Sequence, residues 1–288
     1  MRTVDRRGFT LVEIVVVLGL MGIVIGALYQ SILATQRTTS AQYQRIEVQQ
    51  TTRAAAMYVS NLLRELDAAD GDILVSQASS LQFRAMRWTG VLCTIPFEAA
   101  GEVQFTVRGQ LLFGVRGPDA AQDSILLWQE GDPSIRVDDT WLFGGLQSSA
   151  AGVCPDDGLA GTTLRVMINA ASGGNAAAAA GITLGAPVRG FQVEEVSLFL
   201  QGGDYWLGRR TADRVGVWTP VRPLVGPLTA DGLAFSYFDV NGGLPALTTQ
   251  IASIGVTIRG RSMSQVSGAG FRRDSIITRV TLRNNARF

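Results

Sequence analysis

The chain opens on an unbroken apolar run. Positions 14–28 are fifteen residues drawn from Ile, Val, Leu, Met, Gly and Ala, without one polar side chain. Adding residues 9–13 reaches about the 20 residues that a helix needs to cross a bilayer core. The pattern then changes. Residues 30–67 contain no Gly and no Pro and are rich in Ala, Gln, Arg and Leu, which suits continued helix. Between 31 and 52 the surface is mainly Thr, Ser and Gln, with Ile32, Leu33, Tyr43, Ile46 and Val48 as its apolar positions. From Ala55 onward Val59, Leu62, Leu63 and Leu66 recur at helical spacing, a stripe suited to facing a core. The spacing predicts one helix over 9–67, about 88 Å long, with a projecting first half, a packed second half and Gly71 as its stop.

Beyond Gly71 the period drops to two. Short alternating stretches at 73–76, 81–86, 102–107, 110–115 and 124–128 read as strands between turn residues. The pair 102–107 and 110–115 meets at Arg108-Gly109, which predicts a tight hairpin. A strand at 164–168 precedes the low-complexity run 169–181, read as a mobile loop. Two strands joined through Gln201-Gly202-Gly203-Asp204 carry a strong hairpin signal. A strand at 218–224, one running into an Asn241-Gly242 turn, and two last strands at 251–260 and 275–283 complete an α+β pattern.

Charge alters the reading of the first run. Arg2, Arg6 and Arg7 precede it with only Asp5 against them, so the positive-inside bias keeps the N-terminus cytoplasmic and sends the rest outward. Gly19, Gly22, Gly26 and Ala27 offer small residues to a signal peptidase. Glu13, however, would then sit where a signal peptide is most apolar. A carboxylate in a membrane span is costly and is a functional hypothesis by default.

The segment RRGFTLVEIVVVLGLMGIVIGAL resembles the class III signal of type IV pilins and type II secretion pseudopilins, on Gly8, Phe9, Thr10, Leu11, Val12, Glu13 and the run behind them. The resemblance implies cleavage after Gly8 by a prepilin peptidase, N-methylation of Phe9, and Glu13 as the fifth residue of the mature chain. It also offers a reason for the acid. In a staggered stack, Glu13 of one subunit can pair with the new Phe9 amine of its neighbour, removing two uncompensated charges from hydrocarbon. Residues 1–8 are then a cleaved leader, 9–30 the transmembrane and fibre-core helix, 31–67 its continuation into the head, and 72–288 a β-rich periplasmic or extracellular head.

In the head, Leu207-Gly208-Arg209, the 233–243 stretch and Val280-Thr281-Leu282-Arg283-Asn284 resemble the larger minor pilins of the PilW kind and the J-type minor pseudopilins. Two departures from major pilins stand out. Gln30 occupies the position where many carry a helix-kinking proline, so a smoother helix is expected. The head is also large, which suits a low-copy subunit near a fibre tip. The partners so implied are prepilin peptidase, other pilins or pseudopilins, the inner membrane and an assembly platform protein. The rival from another class is a signal-anchored periplasmic enzyme or binding domain that does not polymerise.

Composition narrows the chemistry. The 25 basic residues are all Arg and stand against 24 acids, so the whole chain has no charge footprint for nucleic acid. There is no His, which excludes Ser-His-Asp and Cys-His hydrolases within this chain. Cys93 and Cys154 are the two cysteines. They are either a bridge or two buried thiols, and an oxidising compartment outside the inner membrane favours the bridge, at about 4 kcal/mol for a loop of roughly 60 residues. Asp119 with Asp123, Asp138 with Asp139, Asp156 with Asp157, and Asp239 with Asn241 could offer oxygens to calcium. None spells a full calcium loop, and turn or cap roles account for each. Arg209-Arg210, Arg259 with Arg261, and Arg272-Arg273 read as solvated strand positions. Trp88, Trp128, Trp141, Trp206 and Trp218 read as core or subunit-contact residues. No catalytic constellation, metal or cofactor is expected.

Overall fold

A single helix, α1 at Leu11–Arg64, leads into an antiparallel sheet, as the computed structural model of the chain shows. The structure describes residues 10–132, 134, 139–169, 174–175, 181–266 and 270–283. Thirteen strands follow α1. They are β1 (Ile73–Ser76), β2 (Ser80–Val91), β3 (Phe97–Ala99), β4 (Glu102–Arg108), β5 (Phe113–Gly114), β6 (Ser124–Gln129) and β7 (Thr140–Val153). Next come β8 (Ala160–Ile168), β9 (Pro187–Gln201), β10 (Asp204–Thr211), β11 (Arg222–Phe238), β12 (Ser253–Val266) and β13 (Gly270–Thr281). The α+β class read from the pattern is the class of the fold.

The sheet runs in the order β13-β12-β11-β10-β9-β6-β7-β8-β4-β3. Strand β9 is its pivot. One edge pairs along β2, while the other carries β6 over its first half and β10 over its second. Two cores form on either side of that pivot. In the first, Ala55, Val59 and Leu63 of α1 meet Ile254, Val256 and Ile258 of β12, with Leu81 and Phe83 of β2. In the second, Trp88 of β2 joins Phe105, Ile125, Leu127, Leu146, Leu164 and Val166. There the strands run round from β9 through β6, β7, β8 and β4 and return to the end of β2. Leu92 bridges to Val107, and the Cys93 N–H donates to the Thr106 carbonyl at 2.9 Å. The disulfide between Cys93 and Cys154, Cα atoms 5.5 Å apart, lies beside that seam.

The buried face of α1 is Gln44, Val48, Thr52, Ala55, Ala56, Val59 and Leu63, steps of three and four that hold one side of a 3.6-residue period. Small residues let it lie close on the sheet. A Cβ on Gly260 of β12 would sit 2.7 Å from the Thr52 hydroxyl, so glycine is what the contact admits. Before Gln44 the helix stands free of the head, as its polar pattern predicts. It passes through Gln30 without interruption.

Several boundaries differ from the sequence reading. The helix stops at Arg64, and residues 65–71 form a separate turn in which the Gly71 N–H bonds the Ala68 carbonyl. Gly71 therefore closes that turn and does not end the helix. The expected hairpin at Arg108-Gly109 is absent. Residues 109–111 form a short 3₁₀ turn, β4 pairs with β3 and β8, and only Phe113–Gly114 is strand, paired with β2. Register across the sheet overrode the local turn signal. The strand placed at 218–224 starts at Arg222 and continues to Phe238 through a register break between Leu228 and Leu233, while Trp218 makes an isolated bridge to Ala212. Strand β7 was not anticipated, because its glycine- and serine-rich sequence lacks clear alternation. The 201–204 hairpin is present, with Gly202 at φ 63° and Gly203 at φ 89° supplying the left-handed turn. Most of the 169–181 run lies outside the described residues.

Candidate functional site

The N-terminal end of α1 concentrates the unusual features. Thr10 has extended backbone angles (φ −80°, ψ 149°) and caps the helix, its hydroxyl oxygen accepting the Glu13 N–H at 3.3 Å. Glu13 therefore occupies the third helical position of a Thr-x-x-Glu box, where a negative charge is favoured by the helix dipole. That local signal was available in the sequence and gives Glu13 a local role at the helix start. Gly8 and Phe9, the expected cleavage and methylation residues, lie outside the described residues. Thr10 is the first described residue.

From Ile14 to Tyr29 the helix is apolar on every face and packs on nothing else among the described residues. Leu11 is 80% exposed and Ile23 71%. Among the described residues one helix is long and apolar enough to cross a membrane, and its apolar stretch is wholly unburied within the fold. A helix that is hydrophobic all round needs a surrounding apolar medium, whether lipid or other helices. Leaving about fifteen such side chains in water would cost on the order of 1.5–3 kcal/mol each.

Several of the head's charges are held in internal ion pairs. Glu194, its side chain 1% exposed, accepts hydrogen bonds from Arg87 and Arg209. Arg210 bonds Glu195 at 2.8 Å and lies over the Trp218 ring. Burial pushes the Glu195 carboxyl up, but Arg210 and Gln82 outweigh it and leave the group below its ordinary value. Arg259 pairs with Asp231 at 3.3 Å, and Arg261 with Asp204. Of the arginine groups singled out in the sequence, Arg272 and Arg273 have no ion-pair partner among the described residues.

The acidic candidates are structural. Asp123 is buried and accepts the Trp88 indole N–H at 2.9 Å, the Asp119 N–H at 2.9 Å and Arg116. The Asp239 carboxylate accepts the N–H groups of Asn241 and Gly243, both at 2.8 Å, closing its turn. Asp156 and Asp157 hold Arg108 and lie beside Cys154, whose sulfur is committed to the disulfide. Asp139 accepts the Gly131 N–H at 3.3 Å, and Asp138 lies outside the described residues. Among the tryptophans, Trp88 is core, while Trp128 and Trp141 meet edge to face at 5.0 Å.

Sequence reasoning missed a cluster where α1 hands over to the sheet. Asp70 accepts the Trp141 indole N–H at 3.1 Å and Arg189 at 3.2 Å. Asp72 is 2% exposed. One carboxylate oxygen accepts the Asp67 N–H at 2.8 Å, and the other has no hydrogen-bond partner among the described residues. Burial pushes the Asp72 carboxyl up to about 6 against the opposing pull of that hydrogen bond and of Arg84. The D-A-A-D-G-D spelling at 67–72 was a visible signal, but it resembles an ordinary polar turn.

Residues 4–29 match the prokaryotic N-terminal methylation motif. No curated protein and no solved structure matched the chain. The motif and the long apolar helix support a type IV pilin-like or pseudopilin precursor and fit a membrane-anchored pilin. The motif implies processing by a prepilin peptidase and assembly with other pilins.

Proposed function

We propose that this chain is the precursor of a minor, low-copy subunit of a type IV pilus-like fibre. It is held in the inner membrane by residues 9–30 and cut between Gly8 and Phe9. Phe9 is then N-methylated, and the subunit is drawn into the fibre with its head near the tip. The pseudopilus of a type II secretion machine is the sister form of the same design and differs in its partners.

The observation that carries this reading is the pairing of an all-round apolar, unburied helix with a single carboxylate in its first turn. Lipid covers the apolar surface before assembly, and neighbouring helices cover it afterwards. The Glu13 carboxylate gains an opposite charge when the amine created at Phe9 of an adjacent subunit comes alongside. The size of the head, with two cores and thirteen strands, supports a terminal or low-copy place over one repeated along a shaft.

Mass spectrometry of the protein from its native membrane tests the reading. The expected result is a chain that begins at methylated Phe9. An intact Met1, or cleavage within residues 22–27, would falsify it and favour a signal-anchored domain.

A further inference from the structure

The sheet ends at β13, and nothing among the described residues pairs with its outer edge. Which backbone groups face outward follows from the register. The Arg272 N–H donates to the Ser262 hydroxyl at 3.0 Å, and the Leu282 N–H donates to the Ala252 carbonyl at 3.1 Å. Both are directed toward β12. Pairing with β12 keeps one register along β13 from Arg273 to Thr281. Because N–H and C=O groups alternate sides along an antiparallel strand, Arg273, Ser275, Ile277 and Arg279 direct theirs outward. The result is an open ladder of backbone donors and acceptors, with Ile277 78% exposed in its middle.

A groove of about 430 Å³ separates the start of this edge from α1. Thr38, Arg45 and Val48 line one wall, and Arg272, Arg273 and Asp274 the other. No ion pair among the described residues holds Arg45, Arg272 or Arg273, and Asp274 is the one acid in the groove lining. Asp231, whose charge is near Arg273, is already held by Arg259 and by the Thr229 hydroxyl at 2.7 Å. Three guanidiniums held in no ion pair thus stand together beside a free strand edge.

We propose that this edge and groove take an extended acidic segment of a neighbouring fibre subunit, added as a further strand beside β13. Backbone hydrogen bonds to the odd-numbered residues supply the pairing, and acidic side chains on the two faces of the added strand meet Arg272 with Arg45 on the α1 side and Arg273 on the other. Charge selects the occupant. β13 carries Arg272, Arg273 and Arg279 against Asp274 alone, which disfavours a second copy of the same strand and favours an acidic one. Lipid phosphates are out of range, since Thr38 lies ten residues past Leu28, about 15 Å along the helix. The identity of the partner rests on the fibre-subunit reading, whereas binding at the site does not.

The test uses the purified full chain in a neutral detergent, with fluorescein-labelled peptides of five Glu-Val repeats and five Gln-Val repeats, followed by fluorescence anisotropy. The glutamate peptide is expected to bind, with the glutamine peptide about tenfold or more weaker. R272A/R273A should lose about tenfold, and added salt should weaken the wild-type complex. Ile277→Pro removes an outward N–H without touching the β12 ladder, so the protein should fold and lose the peptide. Thr278→Pro breaks an inward bond and should lower the melting temperature, which confirms the register. Equal binding of the two peptides, no binding of either, or full binding by a folded Ile277→Pro variant would each overturn the docking site. No fibre is present in the assay, so a negative result rejects this site alone. A chain that keeps Met1 rejects the fibre reading alone.

Discussion

Two carboxylates in this chain sit where a charge is costly, and they are resolved differently. Glu13 lies in the first turn of α1, where its N–H is bound by Thr10 and the helix dipole favours its charge. Capping and intersubunit pairing can be separated by mutation. Thr10→Ala should weaken the helix start by about 1 kcal/mol and leave fibre incorporation intact. Glu13→Ala and Glu13→Gln should both allow insertion and cleavage yet impair incorporation, as read by the subunit's abundance in sheared fibres. Normal incorporation of the Glu13 variants would leave capping as the residue's only role. Asp72 is instead removed from water inside the head, and burial raises its carboxyl to about 6. A folded-state value above the unfolded one means that the fold prefers the neutral acid. That stability is fully present below about pH 4 and is lost as pH rises through about 6. The shift corresponds to at most roughly 3 kcal/mol. Asp72→Asn should therefore match wild type near pH 4 and melt higher at pH 7. Parallel melting curves across that range would assign the pH slope to another group.

At the scale of elements, the seam between β2 and β4 is closed by a bridge at Leu92–Val107, the hydrogen bond from the Cys93 N–H to the Thr106 carbonyl, and one from the Thr106 N–H to the Thr94 hydroxyl at 2.7 Å. The disulfide fastens the same place, tying the end of β2 to the residue just beyond β7 across a separation of 61 residues. Chain-entropy reasoning puts its contribution at about 4 kcal/mol. Replacing both cysteines with alanine should lower the unfolding free energy by about 2–5 kcal/mol in denaturant titration. Non-reducing peptide mapping should recover Cys93 joined to Cys154, and two alkylatable thiols in native protein would reject the bridge. Local patterns were good guides to elements that close on themselves. The 201–204 hairpin and the helical stripe are carried by neighbours in sequence. They were poor guides to β5, whose strand character comes from β2 more than twenty residues earlier, and to β7, which pairs with its sequence neighbours β6 and β8 without any clear alternation of its own.

The whole molecule joins a helix of 54 residues, about 81 Å long, to a head that holds only its last third. That arrangement suits the proposed use of the chain, in which the helix is stored in a membrane and later joins a fibre while the head makes the contacts. The division between sequence and fold follows the range of the forces involved. Sequence alone determined the apolar span, the isolated acid and the exclusion of histidine chemistry, because each depends on composition or on spacing within a few turns. Tertiary structure decided which arginines are spent on buried carboxylates and which stay unpaired. It also turned β9 into the pivot of two cores and left β13 as an open edge. Those outcomes depend on long-range register, which local patterning does not specify when strands can pair in several orders. The same register separates Arg209 and Arg210, held by Glu194 and Glu195, from Arg272 and Arg273, which have no such partner among the described residues. In sequence, the two arginine pairs look the same.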